Sequence, residues 1–201
     1  MIRLLVADDE HLIRTALAQL LDLEEDLEVV AEAASGAGAL AAAVKAQVDV
    51  AILDLQMPEP DGIAVASRSA TELPGCRVVI VTSHGRPGHL KRALKAGVRG
   101  FLPKTTSAAT LADVVRQVHA GGRYVDPELA AEAIGAGDSP LTPREADVLE
   151  LAADGASIEE IAQRASLSPG TARNYLSNAV AKLGAANRHE ACAKARRLGW
   201  I

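Results

Sequence analysis

Asp8 and Asp9 follow the apolar run IRLLVA, Asp54 follows VAIL, Thr82 follows VVIV, and Lys104 stands just after GFLP. If those runs are parallel strands of one sheet, three carboxylates, a hydroxyl and an ammonium meet on one rim. Clustered carboxylates repel unless a cation neutralises them, and oxygen donors without Cys or His favour Mg²⁺. Mg²⁺ keeps several waters and takes one or two carboxylates plus phosphoryl oxygens, so the set reads as a phosphoryl-transfer site. Asp54 is then the nucleophile that forms an acyl phosphate, while Lys104 and the metal stabilise charge on the equatorial oxygens. Thr82 is placed to hydrogen-bond a phosphoryl oxygen. Simpler readings exist for each residue alone: helix N-capping for Asp8 and Asp9, a turn hydroxyl for Thr82, a solvated charge for Lys104.

The elements that must position these residues are legible as an alternation. Short apolar runs recur at Ile2 to Ala7, Leu27 to Ala33, Val50 to Leu53, Arg77 to Val81 and Gly100 to Leu102. Their length and β-branched content argue for strands, most of them buried on both faces. Helical periods lie between them. The stretch 11 to 21 places Leu12, Ile13, Ala16, Leu17, Leu20 and Leu21 on one side, and 107 to 120 does the same with Leu111, Val114, Val115 and Val118. Gly97 fits the cap of the fourth helix, and Gly121-Gly122 ends the fifth. Such alternation predicts a doubly wound, five-stranded parallel sheet with helices on both faces. In open α/β sheets ligands bind outside the carboxyl ends of the strands, which is where the five polar residues fall.

Bulk properties narrow the class. With 201 residues and 49% hydrophobic content, the chain can hold one large or two small cores, and at 2% aromatic those cores are built from Ala, Val, Leu and Ile. No run reaches the ~18 apolar residues of a membrane helix, and MIRLLVADDE has no basic segment before an apolar stretch. A cytoplasmic protein without membrane insertion is expected. Cys76 and Cys192 lie far apart without metal-ligand spacing and read as packed thiols. Residues 1 to 138 hold 13 Lys+Arg against 19 Asp+Glu, a net of -6, while residues 139 to 201 hold 8 against 7, a net of +1. The halves therefore differ in job, and a surplus of one positive charge is a small footprint for nucleic acid.

Residues 1 to 120 resemble the receiver domain of bacterial two-component response regulators. The resemblance is carried by Asp8-Asp9, by Asp54-Leu55-Gln56-Met57-Pro58 with Asp61-Gly62, by Thr82-Ser83 and by Gly100-Phe101-Leu102-Pro103-Lys104. It implies a flavodoxin-like fold, Asp54 as phosphoacceptor, and Mg²⁺ bound by Asp9, Asp54 and the backbone carbonyl of Gln56, with Asp8 acting mainly through water. It also implies that Thr82 and Phe101 form the switch pair, the hydroxyl moving toward the phosphoryl group as the ring turns inward.

Beyond the fifth helix, Pro127 to Ile134 reads as a short helical stretch, and Gly135, Gly137, Asp138, Ser139 and Pro140 mark a boundary. Thr142-Pro143-Arg144-Glu145 and Ser157-Ile158-Glu159-Glu160 are capping boxes that start two helices. The first buries Val148, Leu149 and Leu151 and stops at Gly155; the second buries Ile161 and Ala162. Ala165-Ser166-Leu167 forms a tight turn, and Ser168-Pro169 opens a third helix reaching about Leu183, the arrangement of a helix-turn-helix. Ala172, Leu176, Ala179, Val180 and Leu183 form its buried stripe, with Gly170, Arg173, Asn174 and Ser177 opposite. Arg pairs bidentately with guanine and Asn with adenine in the major groove, and Thr171 and Lys182 are placed to reach phosphates. Residues 141 to 199 resemble the LuxR-type DNA-binding module, through Leu141 to Glu145, Val148-Leu149, Gly155, Glu160-Ile161-Ala162, Ser168, Thr171, Lys182-Leu183 and Asn187-Arg188 with Glu190-Ala191.

The expected organisation is a receiver over 1–122, a linker over 123–139 and a small all-α helix-turn-helix domain over 140–201, the order of NarL/FixJ-class response regulators. Within that class, TSHGRPGHLKRALKAG and GTARNYLSN are similar to the regulators of fatty-acid desaturase expression that work with a membrane thermosensor kinase. The resemblance implies a sensor histidine kinase as phosphodonor, homodimerisation on phosphorylation, and binding to double-stranded promoter DNA to regulate transcription. Two other readings differ in class. A phosphatase with Asp54 as nucleophile needs an acid two positions on, where this chain has Gln56. A regulator independent of phosphorylation tends to lose the acidic pair or the lysine, and this chain has both.

Overall fold

The structure, a computed structural model, describes residues 1–58, 60–83, 85–135 and 139–201. Of the residues read above, His84, Gly137 and Asp138 lie outside the described ones. By contact the chain divides into two compact units, Met1–Gly85 with His89–Leu129, and Arg86–Gly88 with Ala130–Ile201.

The first unit is built on parallel strands β1 (Ile2–Ala7), β2 (Leu27–Ala33), β3 (Val50–Asp54), β4 (Arg77–Thr82), β5 (Gly100–Pro103) and β6 (Tyr124–Val125). Their order is β2-β1-β3-β4-β5-β6. The sheet thus has one strand more than the five apolar runs. The extra edge strand comes from residues expected to begin the linker: Gly100 pairs with Tyr124 and Phe101 with Val125, and the Tyr124 N–H donates to the Arg99 carbonyl at 2.9 Å. The helices are α1 (His11–Leu21), α2 (Gly36–Ala46), α3 (Gly62–Glu72), α4 (Pro87–Lys95) and α5 (Ala108–His119).

All residues of β3 are buried, as a central parallel strand covered on both faces requires. Period-two alternation divides the side chains between the layers. Leu4, Val6, Val50, Ile52, Val79, Val81 and Leu102 pack with Ala18 and Leu21 of α1 and with Leu111, Val114, Val115 and Val118 of α5. The expected stripe of α5 is thus the observed one, whereas that of α1 is narrower. Leu17 packs at the edge of the core, but Ala16 is exposed and Leu12 and Leu20 are 81% and 45% exposed. Sequence periodicity marks an apolar sector, and a helix lying on a sheet buries only the part of that sector that faces it.

In the second unit α7 (Pro143–Ala153), α8 (Ile158–Arg164), α9 (Pro169–Lys182) and α10 (Arg188–Arg197) surround a core of Val148, Leu149, Ile161, Ala172, Leu176, Ala179, Leu183 and Ala191. Leu151 and Val180 pack against its edge. The preceding α6 (Pro127–Gly135) spans the division between the units. Both capping boxes form, with the Thr142 hydroxyl accepting from the Glu145 N–H and the Ser157 hydroxyl from the Glu160 N–H. Ser168 and Asn187 cap α9 and α10. The turn between α8 and α9 is closed by the Leu167 N–H donating to the Ala162 carbonyl at 2.8 Å, with Ser166 in the left-handed region at φ 54°.

Candidate functional site

The carboxyl ends of β1, β3, β4 and β5 deliver Asp8, Asp54, Thr82 and Lys104 to one rim, at the point where the strand order reverses around β1. Asp8, Asp54 and Thr82 are buried, while Asp9 and Gln56 are exposed. One carboxylate oxygen from each of Asp8, Asp9 and Asp54 lies within 4.8 Å of the others. The N-cap of α1 is Glu10, whose side chain makes no capping hydrogen bond. Asp8 Oδ1 instead accepts the Glu10 N–H at 2.9 Å, which leaves the acidic pair on a turn above the sheet. Helix capping therefore does not account for Asp8 and Asp9.

Lys104 ties the rim together. Its ammonium lies 2.8 Å from Asp8 Oδ2, 3.4 Å from Asp54 Oδ2 and 3.0 Å from Glu10 Oε1. The Lys104 N–H donates to the Thr82 carbonyl at 2.8 Å, which fixes the loop that carries it. Burial opposes the Lys104 charge, but hydrogen bonds to Asp8 and Glu10 and the nearby Asp54 carboxylate outweigh it and hold the ammonium above its usual range. Burial also raises the Asp54 carboxyl from 3.8 to about 6; the Lys104 charge opposes this rise, Asp8 adds to it, and a hydrogen bond to the Gln56 backbone lowers it. One lysine among four carboxylates leaves an excess of negative charge at the rim, which adds to the effect of burial on Asp54. A hard divalent cation would relieve the same excess, so the donor set fits Mg²⁺.

Close backbone approaches lock the acceptor loop. A Cβ on Gly62 would lie 2.2 Å from the Asp54 carbonyl oxygen, and the Gly62 N–H donates to the Leu55 carbonyl at 3.1 Å. Asp61 caps α3 through a hydrogen bond from the Ala64 N–H at 2.7 Å. The Phe101 ring is fully buried, so the side chain is inward in this structure.

Two residues at this rim were not singled out from the sequence. Glu10 reaches Lys104 across 94 positions, and Arg14 Nη1 donates to the Asp8 carbonyl at 2.7 Å from the first turn of α1. Only the run Asp8-Asp9-Glu10 hinted at the first, and nothing local marks the second.

On α9, Gly170, Arg173, Asn174 and Ser177 form an exposed polar face opposite buried Ala172, Leu176 and Ala179. The Thr171 and Ser168 hydroxyls share a hydrogen bond of 2.8 Å at the start of that helix. Lys182 is placed differently from a free phosphate contact: its ammonium lies 2.7 Å from Oε2 of the buried Glu145, the same oxygen that accepts the Thr142 N–H. Burial works against the Glu145 charge, but Lys182 and Thr142 hold the carboxyl below its usual range.

A phosphoryl-type rim on a doubly wound sheet, followed by a helix-turn-helix, defines a class of regulatory protein. Residues 4–116 match the response regulator receiver domain, and residues 139–195 match the bacterial regulatory proteins of the luxR family. The chain is 42% identical over 201 residues to the transcriptional regulatory protein DesR of Bacillus subtilis (strain 168), covering 100% of both chains. It is 39% identical to the transcriptional regulatory protein UhpA of Escherichia coli (strain K12), again covering 100% of both. Among solved structures, the response regulator ChrA of a heme-sensing two-component system aligns with a TM-score of 0.59 and 31% identity, over 100% of this chain and 98% of that one. The chain belongs to the two-component response regulators that join a receiver domain to a LuxR-type DNA-binding domain, and it acts on DNA. Among the described residues no helix is long and apolar enough to cross a membrane.

Proposed function

We propose that a sensor histidine kinase phosphorylates Asp54 in the cytoplasm, and that the phosphorylated chain forms a homodimer that binds promoter DNA and regulates transcription. The observation that carries this reading is the convergence of Asp8, Asp9 and Asp54 within 4.8 Å, with the Lys104 ammonium bridging Asp8 and Asp54. Mg²⁺ would be held by Asp8, Asp9, Asp54 and the Gln56 carbonyl, and when bound it supplies positive charge against the phosphoryl oxygens. Asp54 acts as nucleophile and needs no general base, since a carboxylate attacks in its ionised form. Lys104, already 3.4 Å from Asp54, then pairs with a phosphoryl oxygen, and Thr82 donates its hydroxyl to another. Phe101 stays inward once Thr82 has moved, which biases the receiver surface toward its dimerising state.

The dimer contact we assign is the uncovered side of α1, where Leu12, Ala16 and Leu20, with Leu23 in the turn beyond, follow one another at helical spacing. Arg173 and Asn174 read bases from the exposed face of α9, with Ser177 beside them, and Thr171 contacts phosphate. Lys182 reaches phosphate only by giving up Glu145. We assign phosphorylation and dimerisation to residues 1–122 with β6 as the added edge strand, DNA binding to residues 140–201, and the connection to the segment between.

The test is exposure of wild type and Asp54→Ala to Mg²⁺ and phosphoramidate, read by intact mass, light scattering and DNA binding. Wild type gains one phosphoryl group, dimerises and binds DNA more tightly. Equal phosphorylation and equal dimer fraction in the two proteins would reject the assignment.

A further inference from the structure

Lys104 has no uncommitted hydrogen in this structure. An ammonium carries three N–H donors, and three carboxylates surround it: Asp8 at 2.8 Å, Glu10 at 3.0 Å and Asp54 at 3.4 Å. A phosphoryl oxygen can be bound by Lys104 only if one of these partners gives way. Asp8 is buried, and its other oxygen is engaged by the Glu10 N–H at 2.9 Å. Asp54 carries the oxygen that takes the phosphoryl group, so it is not the partner that withdraws. The Glu10 side chain is 57% exposed and regains water as soon as it lets go. Its backbone, pinned by Asp8, returns the carboxylate to the same place when the lysine is free.

We propose that Glu10 is a positioning residue of the phosphoryl site, holding Lys104 away from the incoming phosphoryl group and so setting how fast Asp54 is charged. This rests on the reading of Asp54 as phosphoacceptor. Two effects act in one direction: the Glu10 carboxylate competes for the ammonium, and its charge repels an anionic donor at the rim. Both are electrostatic and both weaken with salt.

The experiment uses the full chain at saturating Mg²⁺ with phosphoramidate as donor and intact mass as readout. In the step followed, an Asp54 carboxylate oxygen forms a bond to phosphorus as the P–N bond breaks, and ammonia leaves with the protons its nitrogen already carried. Glu10→Gln is charged about threefold faster than wild type at low ionic strength, and the gap closes as KCl is raised. Glu10→Asp keeps the charge and stays slower than Glu10→Gln. A merely structural role predicts no salt dependence of the gap. Equal rates for Glu10→Gln and wild type at low salt, or a gap that salt does not change, would overturn the proposal. If wild type gains no phosphoryl mass, or Asp54→Asn gains as much, the phosphoacceptor reading itself is overturned and the proposal falls with it.

Discussion

As the phosphoacceptor we propose, Asp54 has to be both buried and ionised, and these requirements conflict. At 6% exposure, with Asp8 beside it, its carboxyl is raised from 3.8 to about 6 even with Lys104 at 3.4 Å. A folded-state value above the unfolded one means that the native chain binds the proton more tightly between about pH 4 and 6. Stability from this group is therefore present at acid pH and lost as pH rises through about 6. Without Mg²⁺, Asp54→Asn is expected to be more stable than wild type at pH 7.5 by about 1–3 kcal/mol, and to lose that advantage by pH 4. Thermal unfolding across pH with a chelator present checks it; an Asn variant less stable at pH 7.5 contradicts it. The residues of this rim were legible because each follows an apolar run, and strand topology alone brings such positions together. Glu10 and Arg14 were not, since an acid or a base in the first turn of a helix has the same local pattern whether it bridges to another strand or faces water.

Among the elements, those with local causes were the most legible. The capping boxes of α7 and α8 need only residues three apart, and both formed where Thr142 and Ser157 placed them. The pair of Glu145 with Lys182 spans 37 positions and could not be read from either segment. β6 is two residues long, too short for any period to reveal. Lys182 joins the first turn of α7 to the last turn of α9, so its loss leaves a buried carboxylate with one cation fewer. Lys182→Met should cost about 1–3 kcal/mol in denaturant unfolding of the full chain, a larger loss than an exposed phosphate contact would give. The turn before α9 offers a change of opposite sign. Ser166 at φ 54° pays a steric cost that glycine does not, and its N–H still donates to the Gln163 carbonyl at 3.2 Å. Ser166→Gly should stabilise the helix-turn-helix by about 0.5–1 kcal/mol, read as a raised midpoint in the same assay, and leave DNA sequence preference unchanged.

For the whole molecule, a modest charge has to be reconciled with DNA binding. Residues 139 to 201 carry a net charge of only +1, and Lys182 is paired with Glu145, so one module is expected to bind phosphate backbone weakly. Two modules held together raise the effective concentration of the second, so in the function we propose dimerisation would convert phosphorylation into occupancy of a promoter. The exposed leucines of α1 are the apolar surface we assign to that step: Leu12 is 81% exposed, Leu20 45%, and Leu23 beyond the helix end 79%. The sequence period placed Leu12 and Leu20 on one apolar side of α1, and their exposure is what lets that side serve as the dimer contact we assign. Burying leucines contributes about 1.5–3 kcal/mol each, so replacing two and adding charge should weaken a dimer by about a hundredfold or more. Leu12→Asp combined with Leu20→Asp is expected still to accept phosphoryl at Asp54, because both side chains are exposed and neither belongs to the phosphoryl site. It should remain monomeric by light scattering in the presence of Mg²⁺ and phosphoramidate. Its DNA affinity should fall to that of a single module, with a salt dependence about half as steep as that of the phosphorylated wild type. A phosphorylated double variant that still dimerises would move the interface to another face of the receiver, while leaving the chemistry at Asp54 as assigned.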